Sequence, residues 1–208
     1  MGEFDYFLAQ SLDHNIRTSL SDNAINKIET RLFEKYGITL TTSIEQFNKL
    51  DSILREFFGE GADGIEEKLF NNILELKDHK QDVTSENAKW ITIKDTHLIN
   101  LILDVFGDED KKKICTSVTN EGKIIYKILK ECQIPQTSGY RKINSLIKNG
   151  LLTIDDHIST NEGKKVNTYK FLFQNVQINI IKKQITVEVQ LNEQGVENSS
   201  VLLAIKGL

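Results

Sequence analysis

The chain is poor in the residues that build rigid linkers, disulfide frameworks and membrane spans. Its 208 residues include one proline, Pro135, and two cysteines, Cys115 and Cys132. A single proline excludes long proline-rich spacers. Two thiols without paired Cys/His spacing offer neither a disulfide scaffold nor a metal-ligand motif, and fit reduced cysteines of a cytoplasmic protein. No apolar run approaches the ~18 residues of a membrane span, and the acidic start Met1-Gly2-Glu3-Phe4-Asp5 lacks a signal-peptide stretch. A cytoplasmic location is therefore expected. Hydrophobic residues at 39% and charged residues at 27% describe a folding chain rather than a disordered one.

Catalytic signatures are missing too. There is no nucleophile-elbow glycine–serine motif and no phosphate loop. The histidines His14, His79, His97 and His157 are scattered, so the expectation is no enzyme, no cofactor and no metal. The loop Gly59-Glu60-Gly61-Ala62-Asp63-Gly64 lacks the alternate acids of a calcium loop and reads as a helix–helix turn with Asp63 as a cap.

What is present divides by charge. Residues 1–107 hold 11 bases and 19 acids, residues 108–175 hold 12 bases and 8 acids, and residues 176–208 hold three of each. An acidic half followed by a basic module is the layout expected when only the second part meets a polyanion.

In the first half, Ile25, Ile28, Leu32, Phe33 and Tyr36 keep helical spacing up to a stop at Gly37. Thr42-Ser43-Ile44-Glu45 has the capping-box pattern before a stripe of Ile44, Phe47, Leu50, Leu54, Phe57 and Phe58. Asp63 to Glu66 repeats it before Ile65, Leu69, Phe70, Ile73, Leu74 and Leu76. With a further helix from Phe4 to Leu20, residues 1–80 read as a helical N-terminal domain. Residues 81–107 read as a polar connector, a short strand at Trp90–Ile93, and a helix at Leu98–Phe106 that is apolar almost all round. Such a helix is buried between the two halves or in a dimer interface.

Residues 108–174 carry the strongest pattern. A helix at Asp108–Ser117 and another at Asn120–Cys132 precede a third at Pro135–Asn149. On a helical wheel Gly139, Tyr140, Ile143, Leu146 and Ile147 share one arc. Thr137, Ser138, Arg141, Asn144, Ser145 and Lys148 share the other, and no carboxylate occurs between Pro135 and Gly150. A strand from Leu151, a polar tip at Ser159–Lys165 and a strand at Val166–Phe173 follow. Helix, helix, turn, helix and hairpin predict a winged helix-turn-helix. Residues 175–208 alternate as a β extension: a hairpin over Val176–Leu191 and a last strand at Val201–Ile205. The fold class expected is α+β, a helical bundle followed by the winged module and a C-terminal β-hairpin.

The run Pro135-Gln136-Thr137-Ser138-Gly139-Tyr140-Arg141-Lys142-Ile143, with Leu146 and Gly150-Leu151-Leu152, resembles archaeal winged-helix transcriptional regulators related to the ArsR and MarR groups. Thr160–Tyr169 resembles their wing, whereas Gly139 stands where such helices carry a branched apolar residue. Lys35-Tyr36-Gly37-Ile38 and Leu54–Gly59 resemble helical output-type domains of thaumarchaeal regulators. The resemblance implies a homodimer bound to double-stranded DNA. Arg141 would meet guanine or a phosphate and Asn144 adenine. Gln136, Thr137, Ser138, Tyr140, Lys142 and Lys148 would complete the helix contacts, and Lys164 and Lys165 would reach the backbone from the wing. The alternative is a signalling or scaffold protein that uses the winged module to bind protein, with a signalling partner on the N-terminal domain.

Overall fold

The computed structural model describes residues 2–77, 90–159 and 163–207. The connector at 78–89, with His79, and the hairpin tip at 160–162 lie outside the described residues. The chain is mixed α+β, with eleven helices and two antiparallel sheets among the described residues. No described helix is long and apolar enough to cross a membrane.

The first half builds α1 (Glu3–Ser19), α2 (Asp22–Tyr36), α3 (Leu40–Ile44), α4 (Phe47–Phe58) and α5 (Gly61–Ile73). Ser21 caps α2, and Gly37 ends it at φ 66°, a left-handed conformation that costs glycine little. The expected single helix behind Thr42 is broken. Thr39, not Thr42, is the cap, its hydroxyl accepting from Thr42 N at 3.2 Å. The chain bends at Gln46, and the freed Phe47 N–H donates to Ser200 Oγ at 3.0 Å. A partner more than 150 residues away leaves no local signal. Asp63 likewise is not the cap of α5 but lies inside its first turn and pairs with Arg55.

Leu74 and Leu76, expected as the end of a helix, belong to β1 (Leu74–Lys77). They stand opposite Ile93 and Ile91 of β2 (Trp90–Ile93), the strand the sequence predicts. The two-residue alternation of Leu74 and Leu76 serves this pairing. β2 then pairs with β6 (Gln184–Gln190), and β6 with β5 (Asn175–Ile181), so the sheet order is β1-β2-β6-β5. The C-terminal hairpin exists as expected, but it completes a sheet begun in the first half. Beyond it lie α10 (Glu193–Glu197) and α11 (Ser200–Gly207). The segment Val201–Ile205 is therefore helix, not strand. A five-residue apolar run is ambiguous by periodicity; here Ser199 Oγ accepts from Leu202 N at 3.1 Å and Asp5 accepts from Ser200 N at 2.7 Å, which starts a helix.

Between β2 and β5 along the chain come α6 (Thr96–Gly107), α7 (Glu109–Ser117), α8 (Ile125–Glu131), α9 (Gln136–Lys148) and a hairpin of β3 (Leu152–Ser159) and β4 (Lys165–Phe171). α6 buries Leu98, Ile102 and Val105 and leaves Phe106 exposed, so it is covered on one side rather than all round. α8 is shorter than expected because Lys123 is extended: its N–H and C=O exchange hydrogen bonds with Tyr169 of β4 at 3.0 and 2.9 Å.

Candidate nucleic-acid interface

α9 stands on α7 and α8 through Gly139, Ile143 and Leu146, all buried, against a floor that includes Ile114, Cys115, Ile128 and Leu129. A β-carbon on Gly139 would overlap Leu129 Cδ2 and come within 3.1 Å of Leu129 Cδ1 and 3.2 Å of Ile134 Cγ2. Glycine here lets α9 approach α8 closely, so the departure from the regulator pattern is a packing feature. Burial pushes the Cys115 thiol up to about 12, which makes it an inert core residue.

The opposite face of α9 is open. Gln136, Thr137, Tyr140, Arg141, Asn144 and Lys148 are exposed, and Ser138 is half-buried with its hydroxyl on Pro135 O. No side chain caps the α9 N-terminus, so its free N–H groups and positive dipole end face outward. α8 adds exposed Lys127 and Lys130, and the hairpin adds exposed Lys164 and Lys165. β3 contributes charge of the other sign, with Asp155 and Asp156 exposed.

Lys142 differs from the other residues expected on this surface. Its ammonium lies 2.6 Å from Asp108 Oδ1 and 3.0 Å from Asp110 Oδ2, with the side chain only 19% exposed. Asp108 is also the cap of α7, accepting from Asp110 N and Lys111 N at 3.0 and 3.1 Å. The Lys142 hydrogen bond holds the Asp108 carboxyl below its usual range, and the two aspartates raise Lys142. Lys142 thus clamps α9 to α7. The acids at Asp108–Asp110 are visible in the sequence, but their partner across the helix pair is not.

The open face is bounded at its C-terminal end by α1. Tyr6 Oη donates to Lys148 O at 3.3 Å, and the α1 backbone crosses Gly150, which has φ 72°. A β-carbon on Gly150 would lie 3.0 Å from Phe7 Cα. Close approach and positive φ both demand glycine at this corner. No described group of three or more His, Cys, Asp or Glu residues is arranged to hold a metal ion. Comparison with known proteins adds no identity: no protein-family model, curated protein or solved structure matches the chain.

Proposed function

We propose that the chain is a sequence-specific, double-stranded DNA-binding transcriptional regulator. In this reading α7, α8, α9 and the β3–β4 hairpin act as a winged helix-turn-helix, with α9 in the major groove. The observation that carries it is the open, carboxylate-free face of α9 standing on a packed floor. Arg141 and Asn144 present the donors and acceptor that read base edges. Gln136, Thr137, Ser138 and the free N–H groups at the α9 N-terminus hold phosphate. Lys148, Lys164 and Lys165 add long-range attraction, and Tyr140 packs against sugar or a base edge. Lys142, engaged with Asp108 and Asp110, supports the helix instead of touching DNA. A homodimer would place two such helices on half-sites one helical turn apart.

The test is duplex binding under a salt titration, with bound sequences selected from a random pool. Log affinity is expected to fall steeply with log salt, with a slope lessened by about 2 in Arg141→Ala/Lys148→Ala if both side chains meet phosphate. The selected sites should be symmetric. Absence of any duplex binding at about 50 mM salt overturns the reading.

A second reading, a protein-interaction module, draws on exposed apolar side chains away from α9: Phe106, and Ile180, Ile181 and Ile185 at the end of the β5–β6 hairpin. Recovery of one stoichiometric protein partner, without DNA, favours it.

A further inference from the structure

The first half holds a cleft that the DNA-binding reading does not use. It has a volume of about 650 Å³, within the usual range for small-molecule sites. Its walls are the α3–α4 bend and α4, the first turns of α5, and α11. Among the described residues four carboxylates line it, Glu45, Asp51, Asp63 and Glu66, against one cation, Arg55. The guanidinium is already committed. Its Nε lies 2.6 Å from Asp51 Oδ1, and its Nη2 reaches Asp63 Oδ1 at 2.6 Å as an ion pair rather than an aligned hydrogen bond.

Glu66 is left over. The residue is 2% exposed, and its Oε1 is fully buried with no protein N–H or O–H reaching it. An unpaired buried carboxylate oxygen costs several kcal/mol unless a proton or a cation neutralises it. Burial raises the Glu66 carboxyl and the neighbouring Asp51 raises it further, so without a ligand the protonated form is favoured. The remaining wall is apolar or neutral: Phe47, Leu203 and Ala204, with Ser200 and Asn198 at the rim.

We propose that this cleft binds a small organic cation, with a primary ammonium or amidinium group held by the Glu66 and Asp51 carboxyls. The alkyl or aromatic body of the ligand lies along Leu203 and Ala204. A cation with several N–H donors suits this site better than a metal ion, because the described residues form no metal-holding cluster. The α11 side contributes no described charge, so the groups facing Glu66 are Asp51 and Arg55 from α4 and Asp63 from its own helix. Glu45 completes the cleft, its carboxyl pushed up by burial and by Asp5. Burial and Asp51 push Glu66 to about 8. Ligand binding therefore expels a proton below that pH. This inference is independent of the DNA-binding reading.

The experiment is calorimetric titration of the full chain with benzamidine and with butylamine. Butanol serves as the neutral control and calcium chloride as the metal control. Benzamidine affinity is expected to rise about tenfold between about pH 7 and pH 9, following the ionised share of an acid that titrates at about 8. Glu66→Gln should weaken binding at least about tenfold and flatten the pH profile. Leu203→Lys, at a 54% exposed position where the fold is not at risk, should block the cleft with its own ammonium. Four outcomes overturn the proposal: no cation bound at about 10 mM, butanol binding equally well, calcium binding in their place, or Leu203→Lys binding unchanged.

Discussion

Glu66 and Gly139 are the two residues whose environments make the sharpest demands on their chemistry. Glu66 moves from an ordinary 4.5 to about 8, first through desolvation and then through Asp51. A carboxyl with a raised folded value binds more protons folded than unfolded, so its effect on stability is lost as pH rises. Stability is expected to decline from about pH 5 toward pH 8 and then level off. Asp5, also raised mainly by burial, adds to the decline in the same direction. Asp108, Glu56 and Glu131 are lowered by basic partners and act oppositely, their contribution lost in acid below their ordinary values. Urea melts across this range check the slope, and Glu66→Gln should flatten its upper part. Gly139→Ala sets about 1 kcal/mol of helix propensity against overpacking of about 1–3 kcal/mol. A net loss near 1 kcal/mol is expected, because Leu129, which the new methyl meets, is itself buried. In Gly139→Ala/Leu129→Ala the methyl fills part of the cavity, so the double variant should lose less than the sum of the singles. A variant more stable than the parent would refute the packing account. The sequence flagged Gly139 as anomalous but not its cause, since Leu129 lies on another helix.

At the scale of elements, α9 has one engaged face and one open face, and its lysine and arginine neighbours separate them. Lys142 faces Asp108 and Asp110, whereas Arg141 faces out. Lys142→Ala is expected to lower stability by about 0.5–1 kcal/mol, the upper part of the range for surface ion pairs, and, if α9 meets DNA as proposed, to leave the salt slope of binding unchanged. Asp108→Ala should cost about 1–3 kcal/mol, since it removes the α7 cap along with the pair. On the proposed DNA-binding reading, Arg141→Ala should do the reverse, weakening that binding with little change in stability. Paired denaturation and binding measurements on the three variants decide this. A Lys142→Ala variant with the binding loss of Arg141→Ala would return Lys142 to the interface. The bounds of α7 and α9 were legible because caps, proline, glycine and helical periodicity agree there. β1 and α11 were not, because short apolar runs fit helix or strand until a distant partner decides. For β1 that partner is Ile91 and Ile93; for α11 it is Asp5.

Across the whole molecule, charge and motif divide the chain into four segments, but its contacts join the first to each of the other three. Asp5 accepts from Ser199 Oγ, from Ser200 Oγ at 2.7 Å and from Ser200 N at 2.7 Å. Phe7 meets Phe173 edge-on at 5.4 Å, and Ser11 Oγ donates to Asp95 at 2.9 Å. Composition could not reveal this, because a buried carboxylate such as Asp5 reads in the sequence as one more surface acid. The fold also draws one sheet from residues 74–77, 90–93 and 175–190. Removing α1 would uncover Phe173, the floor under Gly150 and the start of α11 together. Chains whose parts share a core in this way unfold in one cooperative step. Far-ultraviolet dichroism and the fluorescence of Trp90, the lone tryptophan, should therefore follow a single coincident thermal transition. A chain lacking residues 1–20 should lose that transition entirely rather than retain a folded C-terminal module. Two separate transitions in the full chain, or a cooperative melt in the truncated one, would mean that residues 108–174 fold on their own and that α1 merely leans against them.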